Sequence, residues 1–224
     1  DTLKRLPLNE TEFEAARHGL LKLLETLFST IDVLKGPIEG KSYDYVVSYG
    51  ERLSCFLISV LLNSTGCKSE YIPGTEAIAA EGEYGNAKCD MAQTIKIAHE
   101  RLLPLISKGV IPVVTGFFGA SESGDPKIFG RGGSDYSASI LAAALNATEL
   151  TVWKEVDGVY TSDPNKDSAA QFLPRITYDR AAEMARAGAK VLHPETMEPV
   201  RDRHIPIRVR NTFRPQFTGT LISG

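Results

Sequence analysis

Apolar residues recur along this chain in two alternating patterns, one with helical spacing and one in short continuous runs. Leucines at positions 20, 23, 24 and 27 form a stripe that predicts a helix over residues 9–29, with Asn9 or Thr11 as its N-cap. Pro104 is expected to end or kink a later helix, because proline lacks the N–H that a helix interior needs. The remaining helices are predicted over residues 52–63, 91–108, 137–147 and 177–187, and from Pro194 onward.

Short apolar runs between these helices predict strands over residues 45–49, 69–72, 110–117, 150–153 and 205–211. Strands that alternate with helices are typical of a mainly parallel sheet covered by helices on both faces. The predicted fold class is therefore an α/β protein, a three-layer α/β/α sandwich with a mainly parallel central sheet. The sequence shows no internal repeat and no low-complexity linker, which favours one domain over residues 1–224.

Composition argues against several classes of protein. The net charge is −3 and the pI is about 5.9, which gives no basic surface for nucleic acid. We find no apolar run near the roughly 20 residues of a membrane span, and no apolar leader at the N-terminus. Three cysteines without CxxC spacing are typical of a reducing compartment and argue against a disulfide framework or a zinc site. The sequence therefore predicts a cytoplasmic protein that binds neither nucleic acid nor membrane.

The richest candidate chemistry lies at residues 129–135, which read FGRGGSD and precede the helix predicted over 137–147. A glycine-rich turn lets the backbone approach a ligand closely, and the free N–H groups of a helix start suit an anion. Ser134 is the expected N-cap, and Asp135 suits the first helical turn. With Arg131 beside them, these residues predict an anion-binding helix start. An ordinary loop before a capped helix is the alternative that a glycine cluster alone leaves open.

Other glycine-bearing stretches follow Tyr49, Phe117 and Trp153, at the ends of predicted strands. Ligands of open α/β sheets bind outside the carboxyl ends of the strands. We therefore expect these stretches to converge on one crevice.

Five short sequence motifs, here called words, extend this interpretation and occur in this order along the chain. They are VVSYGERLS at 46–54, VVTGFFG at 113–119, FGRGGSDYSA at 129–138, WKEVDGVYTSDP at 153–164 and AGAKVLHPETMEPV at 187–200. Together they resemble the aspartate kinases of the amino acid kinase superfamily, and the resemblance covers about 43–221. It implies the amino acid kinase fold and transfer of the γ-phosphoryl group from ATP, with Mg²⁺, to L-aspartate. The product would be 4-phospho-L-aspartate, at the start of lysine, threonine and methionine synthesis, and the enzyme would be a homo-oligomer, usually a dimer.

Two alternatives stay open at this point. One is a related amino acid kinase, of the glutamate 5-kinase or acetylglutamate kinase type, although those families do not usually show Arg-Gly-Gly-Ser-Asp-Tyr at the central turn. The other is a non-catalytic module that binds a nucleotide or an amino acid.

A substrate with two carboxylates and one ammonium needs an arginine fork and an acid. The resemblance implies that Arg131 clamps a substrate carboxylate and that Glu51 receives the α-ammonium. Ser134 would hydrogen-bond the substrate, and Phe117 would form a wall of the pocket.

The resemblance also implies a nucleotide site. Asp135 and Lys190 would act in catalysis, Asp135 by orienting lysines or a metal-bound water and Lys190 by lying near the ATP phosphates. No side-chain cluster is expected to hold a metal by itself. The residues expected to contact the nucleotide are Lys154, Glu155, Tyr160, Lys190 and Val191.

The chain also departs from the family pattern. The Lys-Phe-Gly-Gly-Thr-Ser word of the family's first strand is absent from the sequence, as are regulatory ACT domains. Asn165, followed by Lys166, stands where many relatives carry an arginine. We expect residues 1–224 to be a single catalytic domain that lacks its N-terminal strand, and to be a weak catalyst or none when isolated.

Overall fold

The computed structural model describes residues 2–34, 36–162, 166–188 and 192–224. The chain divides into two compact units, Asp1–Gly130 and Arg131–Gly224, here called unit 1 and unit 2. Each unit is described separately, and the expectation of one catalytic domain stays a prediction.

Unit 1 combines helices with short strands. Strands β1 and β4 pair in parallel, with Ser69 opposite Ile111. The pairs β2–β3 and β5–β6 are antiparallel, and β2–β3 forms a hairpin whose connection contains two glycines with positive φ, at 82 and 85. The elements are α1 (Glu10–Val33), α2 (Gly40–Ser64), β1 (Ser69–Ile72), β2 (Ala80–Glu81), β3 (Lys88–Cys89), α3 (Met91–Arg101), α4 (Leu103–Ser107), β4 (Ile111–Val114), β5 (Phe118–Ala120) and β6 (Pro126–Ile128).

Local signals place the ends of several helices in unit 1. Asn9 caps α1 through a capping box, in which its side chain accepts from the Glu12 N–H at 2.9 Å and the Glu12 carboxylate accepts from the Asn9 N–H at 2.9 Å. Pro104 lies in the first turn of α4, and the predicted helix over 91–108 is accordingly divided into α3 and α4. Both predictions are confirmed.

The predicted strand over 45–49 is wrong, because these residues belong to α2. Valine and tyrosine favour strands, but burial on one helical face overrides that preference. The residues buried on α2 include Asp44, Ser48, Cys55 and Ser59, at intervals of four, seven and four. There is therefore no strand–turn–helix unit at this point.

Helix α2 is long and apolar enough to cross a membrane by length and composition alone, and it is the one such helix in the described ranges. Core helices of soluble proteins pass the same test, so this helix says little about a membrane. Within unit 1, α2 contacts α1, β1, β4 and β6.

Unit 2 contains a four-stranded sheet in the order β10-β12-β11-β7. The pairs β10–β12 and β11–β7 are parallel, and β11–β12 is antiparallel. Strand β12 was not predicted, and its pairing with β11 makes this sheet mixed. The elements are α5 (Gly133–Ala144), β7 (Leu150–Lys154), β8 (Val159–Tyr160), β9 (Phe172–Leu173), β10 (Arg175–Thr177), α6 (Tyr178–Arg186), α7 (Pro194–Arg201), β11 (Ile207–Asn211) and β12 (Thr220–Ser223).

The core of unit 2 lies between this sheet and its helices. Ile207 and Ile222 of the sheet are fully buried, as are Ala181 of α6 and Val200 of α7. Thr177 caps α6, within the helix predicted over 177–187, by accepting from the Arg180 N–H at 3.2 Å. This packing fixes the ends of β7 and β11, where candidate residues lie.

The three cysteines are expected to react at very different rates. Burial raises the pKa of the Cys55 and Cys89 thiols to about 11 in each case, whereas Cys67 is exposed. Because the thiolate is the nucleophile, a maleimide at about pH 8 should modify Cys67 first and the other two only after unfolding. Mass spectrometry of the labelled peptides tests this, and equal labelling of all three cysteines in the native protein would contradict it.

Candidate active site

The backbone joins two of the sequence words within unit 1. The Phe129 N–H donates to the Phe117 carbonyl oxygen at 2.9 Å, and Phe118 lies opposite Ile128 in the β5–β6 pair. Phe117 has φ +76°, a left-handed backbone that a bulky residue rarely adopts. Such strain is typical of functional sites, which favours Phe117 as a pocket residue.

Glu51 lies in the same region of unit 1 as Phe117. The next residue, Arg52, places its guanidinium 5.1 Å from the ring centroid of Phe118 and 5.4 Å from that of Tyr49. Its Nε also donates to Ser48 Oγ at 3.1 Å. Arg52 and Phe118 directly follow Glu51 and Phe117, so these two predicted substrate residues lie on neighbouring segments of unit 1.

In unit 2 the glycine turn leads straight into α5. Gly132 is the N-cap, with φ +75°, and the helix begins at Gly133. The expectation that Ser134 is the N-cap is wrong, because the left-handed glycine takes that position and Ser134 lies inside the helix. Asp135 lies in the first turn, as predicted. Gly132 has no side chain that could cap the first N–H groups of α5. N–H groups at a helix start suit an anion.

His193, from the word over 187–200, packs against this turn. A Cβ at Gly132 would lie 3.1 Å from the Cβ of His193, which directly precedes α7. Arg131 is exposed and forms no hydrogen bond or ion pair with the residues that the structure describes, and the Ser134 side chain is also exposed. At the start of α5 the turn therefore presents a guanidinium that has no partner within the described ranges.

An ion pair connects α5 with the end of β7. Lys154 Nζ lies 2.6 Å from Asp135 Oδ2, and the two side chains are 34% and 23% exposed. The pair thus brings residues of two distant sequence words together within unit 2. It keeps a lysine ammonium beside the helix start, where it favours bound anions.

The other candidate nucleotide residues are spread along the chain that follows. Glu155 is exposed. The Tyr160 ring packs edge-on against Phe172 at 5.6 Å, and Phe172 packs against Phe217 at 5.0 Å. Lys190 and Val191, and also Asn165, lie outside the described residues, so their expected roles stay predictions.

Sequence reasoning missed several residues that shape these regions. Arg52 was read only as part of a helix. Asp157 accepts from Asn211 Nδ2 at 2.9 Å and pairs with Arg214. Thr220 accepts from the Val159 N–H at 2.8 Å. Long-range contacts of this kind have no local signal, although Arg52 stands next to Glu51 in a recognised word.

A metal site made of side chains alone does not occur in the described ranges, where no three His, Cys, Asp or Glu residues are grouped to hold an ion. Mg²⁺ in nucleotide sites is held mainly by phosphate oxygens and water, with one or two carboxylates. Asp135 fits that smaller requirement, because Lys154 occupies only its Oδ2.

Comparisons with known proteins agree with the sequence words. The model of the amino acid kinase family matches residues 3–211. The aspartokinase of Schizosaccharomyces pombe is 40% identical over 214 residues, which cover 95% of this chain and 41% of that protein. For the lysine-sensitive aspartokinase 3 of Escherichia coli the identity is 37% over 206 residues, covering 92% and 46%. The crystal structure of E. coli aspartokinase III in complex with aspartate and ADP superposes with a TM-score of 0.88 and 33% identity, covering 99% of this chain and 48% of that one. The chain thus spans less than half the length of these relatives.

Proposed function

Because this chain belongs to the amino acid kinase family and has that family's fold, we propose that it carries out the reaction of an aspartate kinase. ATP and L-aspartate would give 4-phospho-L-aspartate and ADP. The observation that carries the proposal is the start of α5, where the exposed guanidinium of Arg131, the helix N–H groups and the Lys154–Asp135 pair adjoin one another. The similarity to an aspartokinase solved with aspartate and ADP supports it.

The proposed amino acid site divides the charges of aspartate between two kinds of residue. Arg131 clamps a carboxylate, since a guanidinium offers two parallel N–H donors to its two oxygens. Glu51 receives the α-ammonium, Ser134 hydrogen-bonds the substrate and Phe117 forms a wall. Support comes from the exposure of Arg131 and Ser134 and from the shared location of Glu51 and Phe117 in unit 1.

The proposed nucleotide site uses residues from unit 2. Lys154 and Lys190 neutralise phosphate charge, while Asp135 orients Lys154 and offers a carboxylate to Mg²⁺ or its water. Glu155, Tyr160 and Val191 contact the nucleoside. Bound Mg²⁺ would neutralise phosphate oxygens. The 2.6 Å contact between Asp135 and Lys154 supports the first of these roles.

The chemistry requires positioning more than proton transfer. A side-chain carboxyl with an ordinary pKa near 4 is already ionised at neutral pH, so no general base is needed. One carboxylate oxygen forms a bond to the γ-phosphorus in line with the bond that breaks, and ADP leaves with the bridging oxygen. The protein contributes by holding the two anions together with cations and helix N–H groups.

Substrate competition tests the proposal against the related amino acid kinases. ADP release by the full-length protein that carries this chain should depend on L-aspartate, with kcat/KM at least about 100-fold above the values for L-glutamate and N-acetyl-L-glutamate. The difference arises because one extra methylene displaces a carboxylate from a fixed clamp. A preference for either competitor would identify the related kinases instead. ATP binding without turnover would identify a non-catalytic module.

We also propose a cytoplasmic location and a homodimer. The reducing environment indicated by the free cysteines supports the first. The exposed apolar side chains Ile58, Ile106 and Ile111 of unit 1 are consistent with the second. Fractionation and light scattering of the full-length protein test these two proposals.

A further inference from the structure

The carboxylate of Asp44 is buried inside unit 1 and joins two separate backbone segments. Asp44 is 0% exposed, and its Oδ2 accepts from the Gly85 N–H at 2.9 Å and from the Ile128 N–H at 2.9 Å. Its Oδ1 is buried and has no hydrogen-bond partner among the described residues. A buried carboxylate that uses one of its two oxygens is costly, and an apolar side chain there would leave the Gly85 and Ile128 N–H groups without this acceptor. Asp44 therefore holds two backbone segments that no apolar residue could join.

One of the two segments leads directly to the glycine turn. Ile128 ends β6, three residues before Arg131 in the chain. The Ile128 carbonyl in turn accepts from the Ala87 N–H at 2.9 Å, so β6 is bound to the β2–β3 hairpin as well as to Asp44. Asp44 thus fixes the point from which the chain proceeds to Arg131.

The other segment, the loop at residues 85–86, packs against the start of the glycine turn. Gly130 has φ +71°, and a Cβ there would lie 2.9 Å from Asn86 Oδ1 and 3.3 Å from the Gly85 carbonyl oxygen. Gly130 therefore rests on the same loop whose Gly85 N–H is bound by Asp44. The two hydrogen bonds that Asp44 accepts therefore hold backbone that either leads to the glycine turn or packs against it.

Helix geometry connects this arrangement with Glu51. Asp44 and Glu51 are seven residues apart in α2, which places them on the same face two turns from one another. The buried Ser48 lies between them on that face. Asp44 consequently sets the distance between the helix that carries Glu51 and the end of the strand that leads to Arg131.

We propose that Asp44 is a positioning residue for the amino acid substrate, an inference that rests on the proposed function. It holds α2, the 85–86 loop and the end of β6 in one arrangement within unit 1, and so fixes Glu51, which is proposed to receive the ammonium of aspartate, and the strand end that precedes the glycine turn. It touches neither the substrate nor the nucleotide.

The test is Asp44→Asn in the full-length protein. The amide keeps the shape and one acceptor, but it weakens both backbone bonds and buries N–H donors where Oδ1 has no partner. We expect the KM for aspartate to rise about tenfold, while the KM for ATP changes less than twofold and kcat less than threefold. Hydrogen exchange at Gly85 and Ile128 should become faster.

Ser59→Ala is the matched control, because Ser59 is another buried polar residue of α2, bonded to Ser69 at 3.0 Å. It should lower stability and leave both KM values unchanged. Gly130→Ala would displace the 85–86 loop, which the Asp44 bond to the Gly85 N–H holds, and should reproduce the aspartate-specific rise if Asp44→Asn folds poorly.

Unchanged KM values in a folded Asp44→Asn protein, or equal rises for aspartate and ATP, would overturn this inference alone. A wild-type protein without aspartate turnover would overturn the proposed function and this inference with it. The two failures are therefore distinguishable.

Discussion

Arg131→Ala is expected to raise the KM for aspartate about 100-fold in the full-length protein, with a much smaller effect on the KM for ATP. The side chain is exposed at the start of α5 and has no partner among the described residues, so its donors are available to a ligand. Hydrogen bonds to charged groups contribute about 1.5–3 kcal/mol each, and about 3 kcal/mol corresponds to roughly 100-fold. Steady-state kinetics with each substrate varied in turn measure the effect.

Arg131→Lys separates geometry from charge. A lysine keeps the charge but loses the parallel pair of donors, so it should restore only a small part of the affinity. Arg175→Ala, at an exposed position of β10, is the control and should leave both KM values unchanged. If Arg131→Ala had wild-type kinetics, the assignment of the carboxylate clamp would be wrong.

Asp135→Asn is expected to lower kcat about 100-fold and to change the KM for aspartate little. The substitution removes the charge that holds Lys154 Nζ at 2.6 Å, and a lysine displaced by about 1 Å costs roughly that factor in a reaction that depends on positioning. Because the two residues act together, the double variant with Lys154→Met should be little worse than the poorer single variant. Single-turnover measurements of phosphoryl transfer distinguish this from slow product release.

Glu149→Gln offers a closely matched control. Glu149 and Arg208 form another partly buried pair, at 2.8 Å, beside the first residue of β7, whereas Lys154 is the last residue of that strand. Arg208 holds the pKa of Glu149 below its usual range, so the stabilisation is present at neutral pH and is lost as the pH falls through the folded pKa. The variant should lose about 1 kcal/mol of unfolding free energy and keep its kcat. Equal losses of kcat in both variants would show that Asp135 contributes only to stability.

Much of the fold could be predicted because the signals were local. The capping box at Asn9, the break at Pro104 and the cap at Thr177 each depend on a few neighbouring residues. The strand prediction over 45–49 was wrong because the β-branched and aromatic residues there favour a strand locally. Burial of Asp44 and Ser48 on one helical face decides the structure instead. Strand β12 was not predicted; its parallel pairing with β10 joins distant parts of the chain.

The residues of the candidate site also divide into those with local sequence signals and those whose contacts join distant positions. The word that contains Arg131 and Asp135 could be found from its residue types, whereas Lys154 was indicated by the family resemblance. Their pairing across 19 positions required the structure. Asp44 was missed because its partners Gly85 and Ile128 are 41 and 84 positions away. If residues 45–49 are taken as helical, the seven-residue spacing places Asp44 on the same helical face as Glu51 and so indicates Asp44 as a candidate.

Trapping the product tests the central claim most directly. An acyl phosphate reacts with hydroxylamine, so the full-length protein with ATP, Mg²⁺, L-aspartate and hydroxylamine should form aspartyl β-hydroxamate in equal amount to the ADP released. Mass spectrometry identifies the adduct. ADP release without this hydroxamate, or a hydroxamate formed only from glutamate or N-acetylglutamate, would contradict the assignment.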